Sequence, residues 1–222
     1  SHVQAMGKEW AQTLFYGNEG TEPEAFTGLA PRFNDQTAAN GGNIITSAAT
    51  PDATDNSSIW LIVWGDDKVH GFYPRGSKAG LQMNDKGQVT VENIDGSNGR
   101  AEMYRSHYRW DCGLVVRDWR YIVRINIDAE DLVKNAATGP DLLDLMAQAV
   151  DLVPSLNGGK PVFYANRTVR GFLRRQMMNK IASSTLTLEH LTNGFGQTRV
   201  TPMFDGIPVK RCDAITNTEA GI

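Results

Sequence analysis

A long β-patterned stretch followed by a helical one is the feature that most constrains how this chain can fold. From Ser58 to Ile127 the residues fall into short runs of β-type sequence, and the alternation of apolar and polar residues is clearest in "QVTVENI". After Asp128 apolar residues recur at helical spacing. The combination of the two patterns in one chain predicts an α+β fold.

Five strands are predicted in the β-rich stretch, over 58–64, 69–73, 88–94, 101–109 and 113–127. The last of them is long, and both of its faces mix apolar and charged residues. Arg117 and Trp119 belong to one face, and Asp118 and Arg120 to the other. This mixture favours a strand that takes part in a surface shared with another molecule.

Helices are predicted over 3–16, 139–156 and 167–181. The first has an apolar stripe from Val3 to Leu14 and is ended by Gly17-Asn18. Pro140 suits the first turn of the second helix, and Pro154 ends it. Further strands are predicted over 43–46 and 160–166, and within 184–191 and 203–215.

Length, composition and charge exclude several classes of protein. The chain has 222 residues, of which 41% are hydrophobic, so it is long enough and apolar enough to bury a sizeable core. A formal net charge of -3 argues against a protein whose main work is to neutralise nucleic-acid phosphates. No apolar stretch approaches the roughly 20 residues that a membrane helix needs. The two cysteines, Cys112 and Cys212, favour free thiols of a cytosolic protein.

The segment "GFYPRGSK", residues 71–78, has the glycine spacing of a phosphate-binding loop. However, its last two residues are in the wrong order, because that loop needs Lys first and then Ser or Thr to ligate Mg²⁺. The residues that follow do not predict a helix. We therefore interpret this segment as a turn with exposed basic residues.

The best set of residues for nucleophilic catalysis is His70, His107, Asp111 and Cys112. In a regular strand, residues an odd number of positions apart lie on opposite faces, so His107 and Cys112 should not meet. We interpret the set as a buried cysteine among ordinary polar sites, and the sequence predicts no catalytic residue and no cofactor.

The sequence predicts no metal site either, since its four histidines are scattered and it has no H-x-x-x-H or C-x-x-C spacing. The third predicted helix has a basic face, which we interpret as solvated or ion-paired, with nucleic-acid contact as the alternative. Its members are Arg167, Arg170, Arg174, Arg175 and Lys180.

Four long blocks, in one order along the chain, carry a resemblance to a known family. They are "TLFYGNEGTEPEAFTGLAPRFN", "SSIWLIVWGDDKVHGFYPRGSKAGLQ", "HYRWDCGLVVRDWRYIVRINI" and "FDGIPVKRCDAI". Together they resemble the major capsid (head) proteins of tailed bacteriophages, in the subgroup of short-tailed, podovirus-like and related temperate phages. The resemblance covers nearly the whole chain.

This resemblance implies the Hong Kong 97-type capsid fold, with a spine helix, a long-stranded peripheral sheet and an axial domain. Residues 1–128 are expected to form the end of the spine helix and the peripheral sheet, and residues 129–222 the axial domain and closing strands. The element order differs from the commoner one, because the strands precede the axial helices, which implies a permuted topology. The N-terminal arm and the extended loop are expected to be missing, so we interpret the chain as N-terminally truncated.

The function implied by the resemblance is that of a structural subunit of an icosahedral head, not an enzyme. Hexamers and pentamers of the full-length protein would enclose double-stranded DNA without binding a specific sequence, and this chain alone would be monomeric or weakly associated. Scaffold, portal or cement proteins are the other implied partners; the location is the virion, and the host cytoplasm during assembly. The alternatives are an encapsulin-like nanocompartment shell protein and, less favoured, an α+β enzyme or ligand-binding domain.

Arginine and tryptophan are favoured at the centres of protein interfaces. The predicted strand 113–127 carries three arginines around one tryptophan, and a strand inside one core would not carry three unpaired charges. We therefore predict a subunit interface that contains at least one of these side chains, or else an internal carboxylate that pairs with an arginine; the alternative is a solvated outer face. The candidate interface residues are Arg117, Trp119, Arg120 and Arg124.

Overall fold

The computed structural model describes residues 2–47, 54–76, 78, 80–93, 96, 99–133, 139–179, 186–192 and 198–222; of 186–192 and 198–201 it describes the backbone only. The chain forms two compact units. One, which we call the body, comprises Ser1–His70 and Val116–Ile222, and the other, which we call the ribbon unit, comprises Gly71–Val115.

The described part of the body contains three α-helices: α1 (His2–Tyr16), α2 (Leu142–Leu152) and α3 (Arg167–Asn179). Its strands are β1 (Ile44–Thr46), β2 (Asn56–Trp64), β7 (Ile122–Asp128), β8 (Lys160–Ala165), β9 (Leu186–Thr192), β10 (Thr198–Phe204) and β11 (Ile207–Arg211). The ribbon unit contains β4 (Gln82–Glu92) and β5 (Arg100–Arg109). The two boundaries between the units lie within β3 (Val69–Phe72) and β6 (Gly113–Val116).

The main sheet has nine strands, and its principal path runs β1-β7-β2-β8-β11-β10-β9. Strand β3 pairs with both β2 and β6 beside this path. The pairs β1–β7 and β8–β11 are parallel, whereas β2 is antiparallel to both of its neighbours on the path, β7 and β8. Strand β2 is buried along nearly its whole length, because both faces of the sheet are covered at its centre.

One face of the sheet packs against α2 and α3. The alternate residues Ile59, Leu61 and Val63 of β2 point into this layer, which also contains Met146 of α2 and Leu173 of α3. Helix α2 begins where Asp141 accepts hydrogen bonds from the backbone N–H groups of two residues in its first turn, at 3.2 and 3.3 Å. Its apolar stripe therefore faces the core from its first residue onward.

The opposite face of β2 is covered by the end of α1 and by the loops that follow it. Trp60 is fully buried there, with the rings of Phe15 and Phe33 at centroid distances of 6.0 and 6.1 Å. A closed loop follows α1, and its two ends are joined by the hydrogen bond from Gly28 N–H to the Gly17 carbonyl, at 2.8 Å. Each of these glycines lies so close to backbone oxygens that no side chain fits.

The α+β prediction is confirmed, and the three predicted helices lie within one to four residues of their predicted ends. The prediction of one continuous strand over 113–127 is wrong. The chain leaves β6 at Val116, turns through a short 3₁₀ helix at Trp119–Tyr121, and re-enters the sheet as β7. The turn is stabilised by Asp118, whose carboxylate accepts a hydrogen bond from the Arg120 N–H at 3.0 Å.

The ribbon unit also differs from expectation, because β4 and β5 pair only with each other and do not join the main sheet. They form a two-stranded antiparallel ribbon. The expected division at residue 128 refers to the domains of a capsid subunit and stays a prediction, although strands from both of its parts lie in the main sheet. The permuted element order stays a prediction as well.

The close approach at Gly28 gives a first prediction. A Cβ at this position would lie 2.6 Å from the Thr13 carbonyl oxygen and 2.8 Å from that of Leu14, so Gly28→Ala must displace backbone. We expect a loss of about 1 to 3 kcal/mol of unfolding free energy, measured by urea titration.

The matched control is Gly171→Ala in α3, where a Cβ meets nothing within 4 Å. Alanine has the higher helix propensity, so this variant should be unchanged or more stable by up to about 1 kcal/mol. Equal stability of the two variants would contradict the packing of the loop against the end of α1.

Candidate functional site

A buried arginine lies at the centre of the body. Arg124 of β7 stands directly opposite Trp60 of β2 in the sheet register, with its guanidinium 5.1 Å from the indole ring. Only 5% of its side chain is exposed. Its three guanidinium nitrogens donate to Ser58 Oγ at 2.9 Å, to the Phe33 carbonyl at 2.6 Å and to Glu219 Oε2 at 2.7 Å. The arginine is therefore paired and hydrogen-bonded within its own chain.

Glu219 joins the C-terminal segment to this site. Its carboxylate, 3% exposed, accepts hydrogen bonds from Arg124, Ser58 and the Tyr16 hydroxyl of α1. Its backbone exchanges two hydrogen bonds with Asn56 of β2, at 2.8 and 3.2 Å. The Tyr16 hydroxyl also accepts a hydrogen bond from the Thr216 N–H at 3.0 Å. One carboxylate thus ties together α1, β2, β7 and the last residues of the chain.

The other three candidate interface residues lie on the turn between β6 and β7, which we call the charged corner (residues 117–120). Trp119 is 40% exposed. Arg120 forms an exposed ion pair with Asp118 at 2.7 Å, and Arg117 forms one with Asp67 at 3.4 Å. The Lys68 carbonyl anchors the corner by accepting the N–H of Arg117 at 2.8 Å. The structure therefore separates Arg117, Trp119 and Arg120, which are exposed, from Arg124, which is not.

The ribbon unit offers a second exposed surface. Most residues of β4 and β5 are exposed, and Tyr104 is 82% exposed. Met83 and Met103 are exposed apolar residues of the same two strands. A two-stranded ribbon on its own is marginally stable in water, and exposed large apolar groups mark contact surfaces. The ribbon therefore has the properties of a surface that packs against another molecule.

In the described residues, the candidates for chemistry lie in strands and in an ion pair. Residues 71–72 of the phosphate-loop segment belong to β3, and the strand β4, not a helix, begins at Gln82. His107 lies on the exposed strand β5, and Asp111 pairs with Arg109 at 2.8 Å. Burial raises the pKa of the Cys212 thiol, which is the opposite of an activated nucleophile. Cys112 and Cys212 form no disulfide.

The basic face of α3 is partly ion-paired. Arg167 lies 3.1 Å from Asp213, which also binds Arg211, and the hydrogen bonds from both arginines lower the pKa of Asp213. The guanidinium of Arg175 lies 5.0 Å from the Phe172 ring. Lys180 lies outside the described residues.

The part of the chain that the structure describes has neither a metal-binding cluster nor a membrane-spanning helix. Within the described residues, no group of three or more His, Cys, Asp or Glu side chains is arranged to hold a metal ion. In the same part of the chain, no helix is both long enough and apolar enough to cross a membrane.

The structure therefore has a body with a buried core and a ribbon whose two strands are mostly exposed. A family model described as "Major capsid protein GP7" matches residues 1–222, the whole chain. No curated protein sequence matches the chain. The chain belongs to this family of phage major capsid proteins, so it is a structural component of the virion that self-associates into the head shell, and it is not an enzyme. The resemblance drawn from the four sequence blocks is thereby confirmed.

The sequence analysis missed the partner of Arg124. Glu219 lies 95 positions further along the chain, in a segment without regular periodicity, so no local pattern connects the two residues. The sequence did predict that an arginine of this region needs a carboxylate partner, either in its own chain or in a neighbouring molecule, because burying an unpaired charge is costly. Arg124 meets that requirement internally.

The buried pair gives a second prediction. Glu219→Gln leaves the Arg124 guanidinium buried without a carboxylate, and breaking a buried pair by removing one partner costs about 3 to 5 kcal/mol. Urea unfolding should show this loss. Asp67→Asn is the control, since it breaks the exposed pair with Arg117 and should change stability little. A Glu219→Gln variant as stable as the Asp67→Asn variant would show that the pair does not hold the segment in place.

A third prediction concerns pH. Burial, and next the Glu219 carboxylate, raise the pKa of Tyr16 above its ordinary value of 10.0. The folded protein therefore retains a proton that the unfolded chain releases, so the stabilisation from Tyr16 is complete below pH 10 and declines as the pH rises above it. Between pH 9 and 11 the parent should lose about 1 kcal/mol more unfolding free energy than Tyr16→Phe does. The exposed Tyr104→Phe is the control and should follow the parent; parallel curves for parent and Tyr16→Phe would contradict the prediction.

Proposed function

We propose that the chain is the subunit of an icosahedral head of the Hong Kong 97 type, in which hexamers and pentamers of the full-length protein enclose double-stranded DNA. The observation that carries this proposal is the ribbon unit, an extended loop whose two strands are exposed on both faces. Such a loop gains stability by lying against a neighbouring subunit. Membership of the capsid protein family supplies the partner, since these proteins associate with copies of themselves.

The charged corner is the second proposed contact. Trp119 offers exposed aromatic area beside Arg117 and Arg120, a composition favoured at interface centres. Both arginines pair with carboxylates of their own chain across exposed surface, where such pairs contribute little stability. They can therefore exchange these partners for carboxylates of a neighbouring subunit at small cost. Arg124, the fourth candidate, acts from inside by holding the body together.

The remaining partners follow from the proposed architecture. Closed shells need heterologous contacts repeated around five-fold and six-fold axes, and scaffold, portal or cement proteins are the expected additional partners. The net charge of -3 suits a shell that must enclose DNA without binding its phosphates tightly. Assembly is expected in the host cytoplasm, and the podovirus-like subgroup stays a prediction. The 222-residue chain alone is expected to form monomers or weak oligomers.

Charge reversal at the corner tests this proposal. Arg117→Glu and Arg120→Glu should each weaken self-association by about tenfold, measured by sedimentation velocity, because each presents a carboxylate where the neighbour's carboxylate is expected. In the full-length protein the same changes should reduce the yield of head-sized particles seen by electron microscopy. Arg174→Glu, on the exposed face of α3, is the control with the same change of charge.

Circular dichroism and urea unfolding must show that all three variants fold. Self-association of Arg117→Glu and Arg120→Glu equal to that of the control would remove the corner from the interface. A full-length protein that forms no closed particles under any condition would contradict the proposed head architecture itself.

A further inference from the structure

The two faces of the ribbon differ in charge. One face carries acidic residues, among them Asp85 and Glu102, and Glu92 in an ion pair with Arg100 at 2.9 Å. The other face carries Lys86, Arg105 and His107 beside apolar residues. Since residues two apart on a strand share a face, this separation follows directly from the strand register. The basic face is therefore a surface with a single sign of charge.

A pocket of about 410 Å³ opens on this basic face. Lys86, Val89, Arg105 and His107 line it, and we call it the basic pocket. It lies at an irregularity of the ladder, where the register shifts between Asp85 and Gln88. Gly87 has a φ of +65° there, and its N–H is held by the Asp85 carboxylate at 3.0 Å. Bulges of this kind redirect side chains, and this one brings Lys86 next to Arg105 and His107.

A segment of the body complements the basic pocket in charge. It is the exposed turn Asn18–Glu24, which we call the acidic turn, with glutamates at 19, 22 and 24 and no basic residue. The turn is part of the closed loop that follows α1. Backbone hydrogen bonds order it, since the Asn18 carbonyl accepts the N–H groups of Thr21 at 3.1 Å and Glu22 at 2.9 Å. A turn that is ordered before binding loses less entropy when it docks.

Another acidic surface of the body, around Asp131, Asp141 and Asp144, is itself a pocket, of about 360 Å³. Two concave surfaces cannot fill each other, whereas an exposed turn can enter a pocket. Asp141 is also already engaged as the cap of α2. Charge and exposure therefore favour the acidic turn over this pocket as the occupant of the basic pocket.

We propose that the acidic turn of one copy of this chain docks into the basic pocket on the ribbon of a second copy. The proposal rests on the proposed function, because it specifies one contact between neighbouring subunits. The contact is heterologous, so each subunit offers its turn to one neighbour and its pocket to another, and the pattern propagates around a ring. Glu22 and Glu24 supply carboxylates to the Lys86 ammonium and to the Arg105 guanidinium, which can bind a carboxylate through two hydrogen bonds.

Two charge-reversed variants test this docking. The pocket variant carries Lys86→Glu and Arg105→Glu, and the turn variant carries Glu22→Lys and Glu24→Lys. Each alone places like charges against each other, so each should self-associate about tenfold more weakly than the parent by sedimentation velocity at low salt. When the two variants are mixed in equal amounts, association should return to the level of the parent, because the pocket of each variant then meets the turn of the other with opposite charge. A quadruple variant that carries all four changes should associate like the parent for the same reason. The recovered associations should weaken as salt is added.

The control is Arg174→Glu with Arg175→Glu on α3, which changes the net charge as the pocket variant does, and it should associate like the parent. Urea unfolding must show that every variant folds. Pocket and turn variants that associate like the parent would overturn the docking while leaving the proposed function intact. Recovery of the quadruple variant without recovery of the mixture would place the contact within one chain and overturn the proposal. A parent chain that stays monomeric at every concentration would overturn the docking, whereas the proposed function would still stand if the protein assembled into closed particles.

Discussion

The Arg124–Glu219 pair is the interaction on which the rest of the body depends. A guanidinium placed between β2 and β7 is costly to bury unless it is paired and hydrogen-bonded, and the C-terminal segment supplies the carboxylate. The same carboxylate accepts the hydroxyl of Tyr16, so the end of α1 is bound to the sheet through it. The sheet, α1 and the last residues of the chain must therefore fold together, although they are far apart in sequence. Apolar packing around Trp60 supplies the stabilisation that a buried ion pair by itself does not.

The helices were predictable because their signals are local: a stripe of apolar residues, a proline in the first turn and a terminating glycine or proline act within a few positions. The sheet was less predictable. Alternation along β4 and β5 indicates strands but carries no information on which sheet they join, so these residues were expected in the peripheral sheet with the other strands of 58–127. The prediction of a continuous strand over 113–127 is wrong at Asp118, where the chain turns and the carboxylate accepts a hydrogen bond from the Arg120 N–H. The Asp118 side chain thus competes with a neighbouring strand for a backbone hydrogen bond. This competition involves only adjacent residues, but it leaves a weak signal in the sequence.

The candidate contact residues show a related limit of prediction from sequence, because the pattern does not tell which of them are exposed. Arg117, Arg120 and Arg124 are indistinguishable in sequence pattern, yet the first two are exposed and the third is almost completely buried. Their difference arises from the turn at residues 117–120 and from a carboxylate 95 positions away, neither of which periodicity reports. Function was accessible by another route, because reasoning from residues could exclude catalysis and four long blocks could indicate a capsid protein. A shell subunit needs no combination of reactive groups, so its family is easier to identify than its contact residues.

The two units of the chain therefore obey different physical requirements. The body buries its apolar residues between the sheet and its covering layers, and it satisfies its buried charge internally. The ribbon satisfies backbone hydrogen bonds between β4 and β5, yet it leaves both faces and both outer edges without a covering layer within the described residues. Bare strand edges invite indiscriminate pairing, and charged side chains such as Lys86 and Arg105 oppose it. In the proposed contact between subunits, charge of one sign on one face of the ribbon supplies what backbone pairing cannot, namely discrimination between the correct neighbouring surface and every other.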